Sequence, residues 1–102
     1  MKMIYITQLI FVKEGKEDVF HEFESFAIPL MEKYNGRIIY RIRPNADSFV
    51  SASQELPYEI HFLSFDSEND LSDFLKDEDR KKLIHLKEAS IHSTFLVKGM
   101  EM

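Results

Sequence analysis

From Ile4 to Val12 the chain is apolar except at Thr7 and Gln8. Strand alternation sends Met3, Tyr5, Thr7, Leu9 and Phe11 to one side, and Ile4, Ile6, Gln8, Ile10 and Val12 to the other. Both sides are therefore apolar. An antiparallel sheet with helices on one side ordinarily turns a polar face to water. The missing polar face predicts a strand covered by helices on one side and by a second copy of the chain on the other.

The period then changes. Val19, Phe20, Phe23, Phe26, Ala27, Leu30, Met31 and Tyr34 recur at intervals of three and four, the stripe of an amphipathic helix over 16–34. Asn35 and Gly36 supply left-handed stop residues just past its end. Pro29 lies inside it, where it leaves the Ser25 carbonyl without a donor and is expected to bend the axis, opening space beneath.

Alternation returns over 37–43 as an edge strand, with Ile38, Tyr40 and Ile42 on one face and Arg37, Ile39, Arg41 and Arg43 on the other. Residues 44–57, rich in Ser, Asn, Asp and Gln, form a long connection of the kind that serves as a lid or binding loop. A third strand over 58–65 sets Glu59, His61, Leu63 and Phe65 against Tyr58, Ile60, Phe62 and Ser64. Asp66 and Ser67 start a helix, with Asp70 positioned to complete a capping box with Ser67. The charged run 76–82 interrupts the apolar stripe, so two helical pieces are predicted, the second restarting at Asp77. Residues 91–98 make the last strand, closed by Gly99. Strand, helix, strand, strand, helix, strand is the ferredoxin-like βαββαβ order, an α+β fold with a four-stranded antiparallel sheet and helices on one face. Its first and third strands are central, which suits the apolar first strand.

The 102 residues make one domain, 1–102, near the lower end of what holds a core unaided, so association is expected to add stability. No internal repeat, low-complexity tract or linker interrupts it. The formal charge of −5 provides no basic surface for phosphate neutralisation, so a nucleic-acid partner is not expected. The N-terminal apolar run falls short of the roughly 20 residues of a membrane span. Absence of cysteine removes thiolate chemistry and disulfides, and suits a reducing cytoplasm.

The chain is similar to the small domains of the dimeric α/β-barrel superfamily, and within it to the DUF1330-like group. The likeness is carried by Asn35-Gly36-Arg37, the strand bearing Tyr40-Arg41, Pro57 leading into Ile60 to Ser67, and Leu96-Val97-Lys98-Gly99. It departs from the usual pattern in having Lys87 where an arginine is common, and no tryptophan. The resemblance implies a homodimer packed through its sheet faces, a small-molecule cavity between sheet and helices, and kinship with cofactor-free oxygenases and isomerases.

Candidate chemistry is sparse. His61, on a central strand facing the helices with Phe65, can act as a general base or orient a polar group, or be a buried histidine satisfied by a neighbour. Tyr40 and Glu59 would complete an acid/base set around it if register allows. Glu59 alternatively sits in water at the sheet's open end. Arg37, Arg41 and Arg43 either anchor a ligand carboxylate or protect the edge strand, with Arg41 at the family-like position. His21, His61, His85 and His92 show no metal-ligand spacing, and no glycine-rich phosphate loop or serine elbow is present, so neither metal nor cofactor is expected. Phe23, Phe26, Tyr40, Arg41, Glu59, His61 and Leu63 are thus the expected ligand-contacting residues, His61 the best catalytic candidate, and an apolar fatty or aromatic carboxylic acid the expected ligand. The competing readings are a cofactor-independent monooxygenase or isomerase, with Tyr40 or Arg41 stabilising an enolate, and a structural or regulatory dimer whose core is filled by Phe23, Phe26 and Leu63.

Overall fold

The computed structural model describes residues 2–102. Four strands, β1 (Ile4–Val12), β2 (Gly36–Ile42), β3 (Glu59–Phe65) and β4 (Ile91–Gly99), form one antiparallel sheet in the order β2-β3-β1-β4. Helix α1 (Glu17–Glu32) and the short helices α2 (Glu68–Leu75), α3 (Glu78–Lys82) and α4 (Ile84–Ser90) complete the ferredoxin-like order expected from the sequence. The strand with two apolar faces lies in the interior of the sheet, as its pattern requires.

Packing follows strand parity. Ile4, Ile6 and Ile10 of β1 and Leu63 and Phe65 of β3 are buried on the helix side, against Phe20, Phe23, Ala27, Leu30 and Met31 of α1. Phe65 also meets Phe74 of α2, the ring centroids 5.6 Å apart. Opposite, on the face without helices, Tyr5 stacks on Phe62 and Phe62 on Tyr40, at 5.7 and 6.1 Å. With Phe95 at 59% and Val97 at 68% exposure, this open face is apolar and uncovered within one chain.

The second helical region is in three pieces rather than the two expected. Ser67 Oγ accepts from the Asp70 backbone N–H at 3.1 Å and caps α2. Asp77 Oδ1 accepts from the Arg80 N–H at 2.8 Å and caps α3, at the predicted restart. The Tyr34 hydroxyl donates to Asp77 and ties the end of α1 to that junction. The further break comes at Leu83, which precedes α4 without a side-chain cap.

Two local expectations about turn and face are corrected. Asn35 does adopt the left-handed conformation after α1, with φ 60°, but Gly36 does not. Gly36 already belongs to β2, and is required there by close approach. A Cβ at this position would lie 2.5 Å from Met31 Cγ and 2.5 Å from Phe65 Cε1. Because Phe65 is only 1% exposed it has nowhere to go. Gly36→Ala is expected to cost about 1–3 kcal/mol by overpacking, read as a lower urea midpoint with an unchanged slope. Unchanged stability would mean that Met31 and Phe65 repack freely.

The other correction concerns β2. Its register on β3 shifts between Ile38 and Tyr40. Ile38 pairs with Leu63, but Tyr40 pairs with Phe62 and Arg41 with His61. The irregularity at Ile39 therefore sends Ile38 and Arg41 to the helix side and Tyr40 and Ile42 to the open face, where strict alternation keeps Ile38, Tyr40 and Ile42 together.

Candidate functional site

The helix side of the sheet carries a polar centre on β3. Glu59 and His61 are each 1% exposed and side by side. His61 Nε2–H donates to Glu59 Oε1 at 2.6 Å. Arg41 Nε donates to the same oxygen at 2.7 Å, while Arg43 Nε and Nη2 donate to Oε2 at 3.1 and 2.5 Å. Burial alone pushes the Glu59 carboxyl up, but the hydrogen bonds from His61, Arg41 and Arg43 outweigh it and hold the group at about 2. Glu59 is thus an ionised, fully buried acceptor. The alternative of a solvated Glu59 is corrected: the two arginines fold over it from the edge strand, half in water themselves.

The carboxylate also sets the imidazole. Ionised Glu59 only accepts, so the proton of a neutral His61 sits on Nε2. Its Nδ1 then accepts, at 3.4 Å, from the amide Nε2–H of Gln8 on β1. Gln8 and His61 both line a cavity.

The cavity, about 150 Å³, lies between the sheet and the helices. Ile6, Gln8 and Ile10 of β1 with His61, Leu63 and Phe65 of β3 form its floor. Phe23, Glu24, Ala27 and Met31 of α1 and Leu71 and Phe74 of α2 form its roof and sides. Arg80 and Lys87, on α3 and α4, add two cations. Arg80 Nε is buried and makes no hydrogen bond among the described residues, while its guanidinium lies over the Phe74 ring at 5.2 Å. Burial, and after it the charge of Arg80, push the Lys87 ammonium down. Glu24 is 7% exposed, and no hydrogen bond from the described residues reaches its carboxyl. Burial pushes it up, partly offset by the positive charges around it.

Among the residues expected to contact a ligand, Phe23, His61 and Leu63 line this cavity. Arg41 and Glu59 sit behind His61, bonded to each other. Tyr40 does not join them, because the β2 irregularity puts it on the open face, 62% exposed. Nor does Phe26. It is 51% exposed and faces outward beside Pro29 and Leu83, so Phe23, Phe26 and Leu63 do not fill a common core. The place Phe26 was expected to take on the inner stripe belongs to Glu24. The remaining cations and histidines are dispersed: Arg37 pairs with Asp66, His21 with the Tyr58 hydroxyl, and His92 with Glu55, while His85 is exposed.

Three charged side chains of the cavity were not anticipated there: Glu24, Arg80 and Lys87. A signal for each exists. Glu24 falls four residues after Phe20 and three before Ala27, inside the buried stripe. Arg80, Leu83, Ile84 and Lys87 follow three- and four-residue spacing through a run that reads as solvated because of its charge.

No family model matches the chain, and none of the curated proteins does. Solved structures are similar. A protein of unknown function from Rhodopseudomonas palustris superposes with a TM-score of 0.86 at 10% identity, over 99% of this chain and 83% of that one. A dimeric protein of unknown function with a ferredoxin-like fold from Bacteroides fragilis gives 0.68 at 16% identity, covering 97% and 96%. A Dabb family protein with a ferredoxin-like fold from Mesorhizobium loti gives 0.72 at 9% identity, covering 100% and 99%. At these identities the likeness establishes the fold class, ferredoxin-like α+β. Among the described residues no helix is long and apolar enough to cross a membrane.

Proposed function

We propose that this chain binds a compact apolar acid in the cavity between sheet and helices, as a homodimer of the dimeric α/β-barrel type with DUF1330-like character, in the cytoplasm. The observation that carries the binding reading is Arg80, which lines an otherwise largely apolar space and whose buried Nε–H lacks a hydrogen-bond partner among the described residues. A buried donor left unmade costs about 1–3 kcal/mol, and an anionic oxygen is the acceptor that best relieves it. Lys87 adds a second positive charge on the same side.

Size narrows the class. A cavity of about 150 Å³ matches the volume in which an engineered apolar cavity takes up benzene. An aromatic or short-chain carboxylic acid suits this space better than a fatty acid. The existence of the cavity also favours a binding protein over a dimer with a filled core.

Benzoate is the probe that matches ring, charge and volume. Calorimetric titration is expected to show saturable binding, weakened about 10- to 100-fold in Arg80→Met, the loss of one charge-assisted hydrogen bond. Equal affinity in the two proteins would remove Arg80 as anchor. Absence of saturation in the wild-type chain, with benzoate and with phenylpyruvate, would remove the ligand class.

The dimer is supported by the uncovered apolar face, by the small size of the domain, and by the dimeric description of the Bacteroides fragilis protein. Face-to-face packing would cover the Tyr5-Phe62-Tyr40 ladder together with Phe95 and Val97.

A further inference from the structure

Two titratable groups face the cavity from opposite walls and neither is needed to hold an acid there. His61 lines it from the sheet, with Nε2 engaged by Glu59 at 2.6 Å and Nδ1 held only by a long 3.4 Å hydrogen bond from the Gln8 amide, which an entering ligand displaces. Glu24 descends from α1, buried, with no hydrogen bond to its carboxyl among the described residues. A carboxyl group largely removed from water and without a hydrogen bond favours carrying a proton or meeting a partner that arrives with the ligand.

We propose that Glu24 and His61 form a proton-transfer pair that tautomerises a compact carbonyl acid, one with an acidic C–H beside its carbonyl group. The proposal rests on the binding reading above, since Arg80 and Lys87 would hold the acid group of the same molecule. His61 Nδ1 takes the proton from the carbon next to the carbonyl. The electrons of that C–H bond become the new carbon–carbon double bond, and the carbonyl oxygen receives the proton of the Glu24 carboxyl. The enol leaves. His61 is then a cation and Glu24 an anion, and transfer of the proton from one to the other through water restores both. No oxidant, metal or cofactor enters the balance.

Each group is matched to its part. Burial pushes the Glu24 carboxyl up, towards the protonated form a donor needs. The charges set around it are His61 and Glu59 from β3, Arg41 from β2, Lys87 from α4 and Arg80 from α3, lining the same cavity. His61 has the reverse support: Glu59 fixes the tautomer and stabilises the imidazolium formed when Nδ1 takes a proton, the orienting role a carboxylate has behind a histidine base.

Phenylpyruvate, whose C3 protons are acidic, is the probe, and loss of its C3 proton signal in D2O, followed by NMR, reads the transfer directly. Benzoate affinity is measured on the same samples, and circular dichroism reports folding. The wild-type chain is expected to exchange these protons well above the buffer rate. Glu24→Gln, which keeps the side chain's shape, and His61→Gln are each expected to lower the exchange rate at saturating phenylpyruvate about 100-fold or more, with the fold retained. If one variant fails to fold, the other decides. Phenylpyruvate bound without exchange would overturn the proton-transfer pair and leave the binding reading standing. Exchange that survives substitution of either residue in a folded protein would overturn the pair as well. Failure to bind either acid would overturn both readings.

Discussion

Glu59→Gln is expected to destabilise the domain by about 3 kcal/mol at neutral pH. The carboxyl lies near 2 in the folded chain against an ordinary 4.5, and a difference of that size corresponds to about 3 kcal/mol of linked stability. The amide can still accept at its oxygen but carries no charge, so Arg41, Arg43 and His61 lose the group on which all three converge. Both arginines reach water and can recover part of their solvation, which keeps the loss towards the lower end of what breaking a buried ion pair costs. For a domain of this length about 3 kcal/mol is a large share of the total stability. The pH dependence follows from the downward shift. Glu59's contribution is fully present above about pH 4.5 and disappears as pH falls through about 2. Urea denaturation of both proteins over this range is therefore expected to show a gap that is constant at neutral pH, narrows below about 4.5 and closes near 2. A gap below about 0.5 kcal/mol would show that the clamp contributes no net stability, and a larger gap independent of pH would show that its contribution does not come from the carboxylate's charge.

Phe95→Asp is expected to turn a dimer into a monomer. In one chain Phe95 is 59% exposed, opposite Leu9 in register and edge-on to Phe11 at 5.9 Å, so its replacement should disturb the isolated fold little. In a face-to-face dimer the new carboxylate would be buried against the apolar face of a second sheet. Burial of an unpaired charge in such a setting raises the dissociation constant by about 100-fold or more. Sedimentation velocity over a concentration series should give a concentration-dependent dimer for the wild-type chain and a monomer for the variant, both with unchanged circular dichroism. A variant that stays dimeric would place the contact elsewhere, and a monomeric wild-type chain would leave the two-faced character of β1 without its proposed cause.

The order of elements was legible because burial writes itself as periodicity. Alternation marked β1 and β3, a three-and-four spacing marked α1, and Ser67 and Asp77 marked helix starts that the structure uses as caps. The placement of His61 beneath the helices followed from parity on a strand without irregularity. Tyr40 was misplaced because a one-residue shift leaves no mark in composition, yet it reverses every side chain that follows. Glu24, Arg80 and Lys87 were hidden for a different reason. A charged residue within an apolar stripe is ordinarily read as an interruption of the buried face, whereas here it belongs to that face. Pattern detects surface removed from water; it does not distinguish a wall of the core from a wall of a cavity.

The β2 irregularity makes the two functions of that strand arithmetically dependent. Ile39 works as an offset of one in a binary count: it assigns Tyr40 to the aromatic ladder of the open face and Arg41 to the Glu59 clamp in the same stroke. Substitutions along β2 alter one role at a time, but an insertion or deletion there alters both, turning a guanidinium outward and a phenol inward. Lineages that carry this clamp should therefore vary in the identity of β2 residues far more readily than in their number.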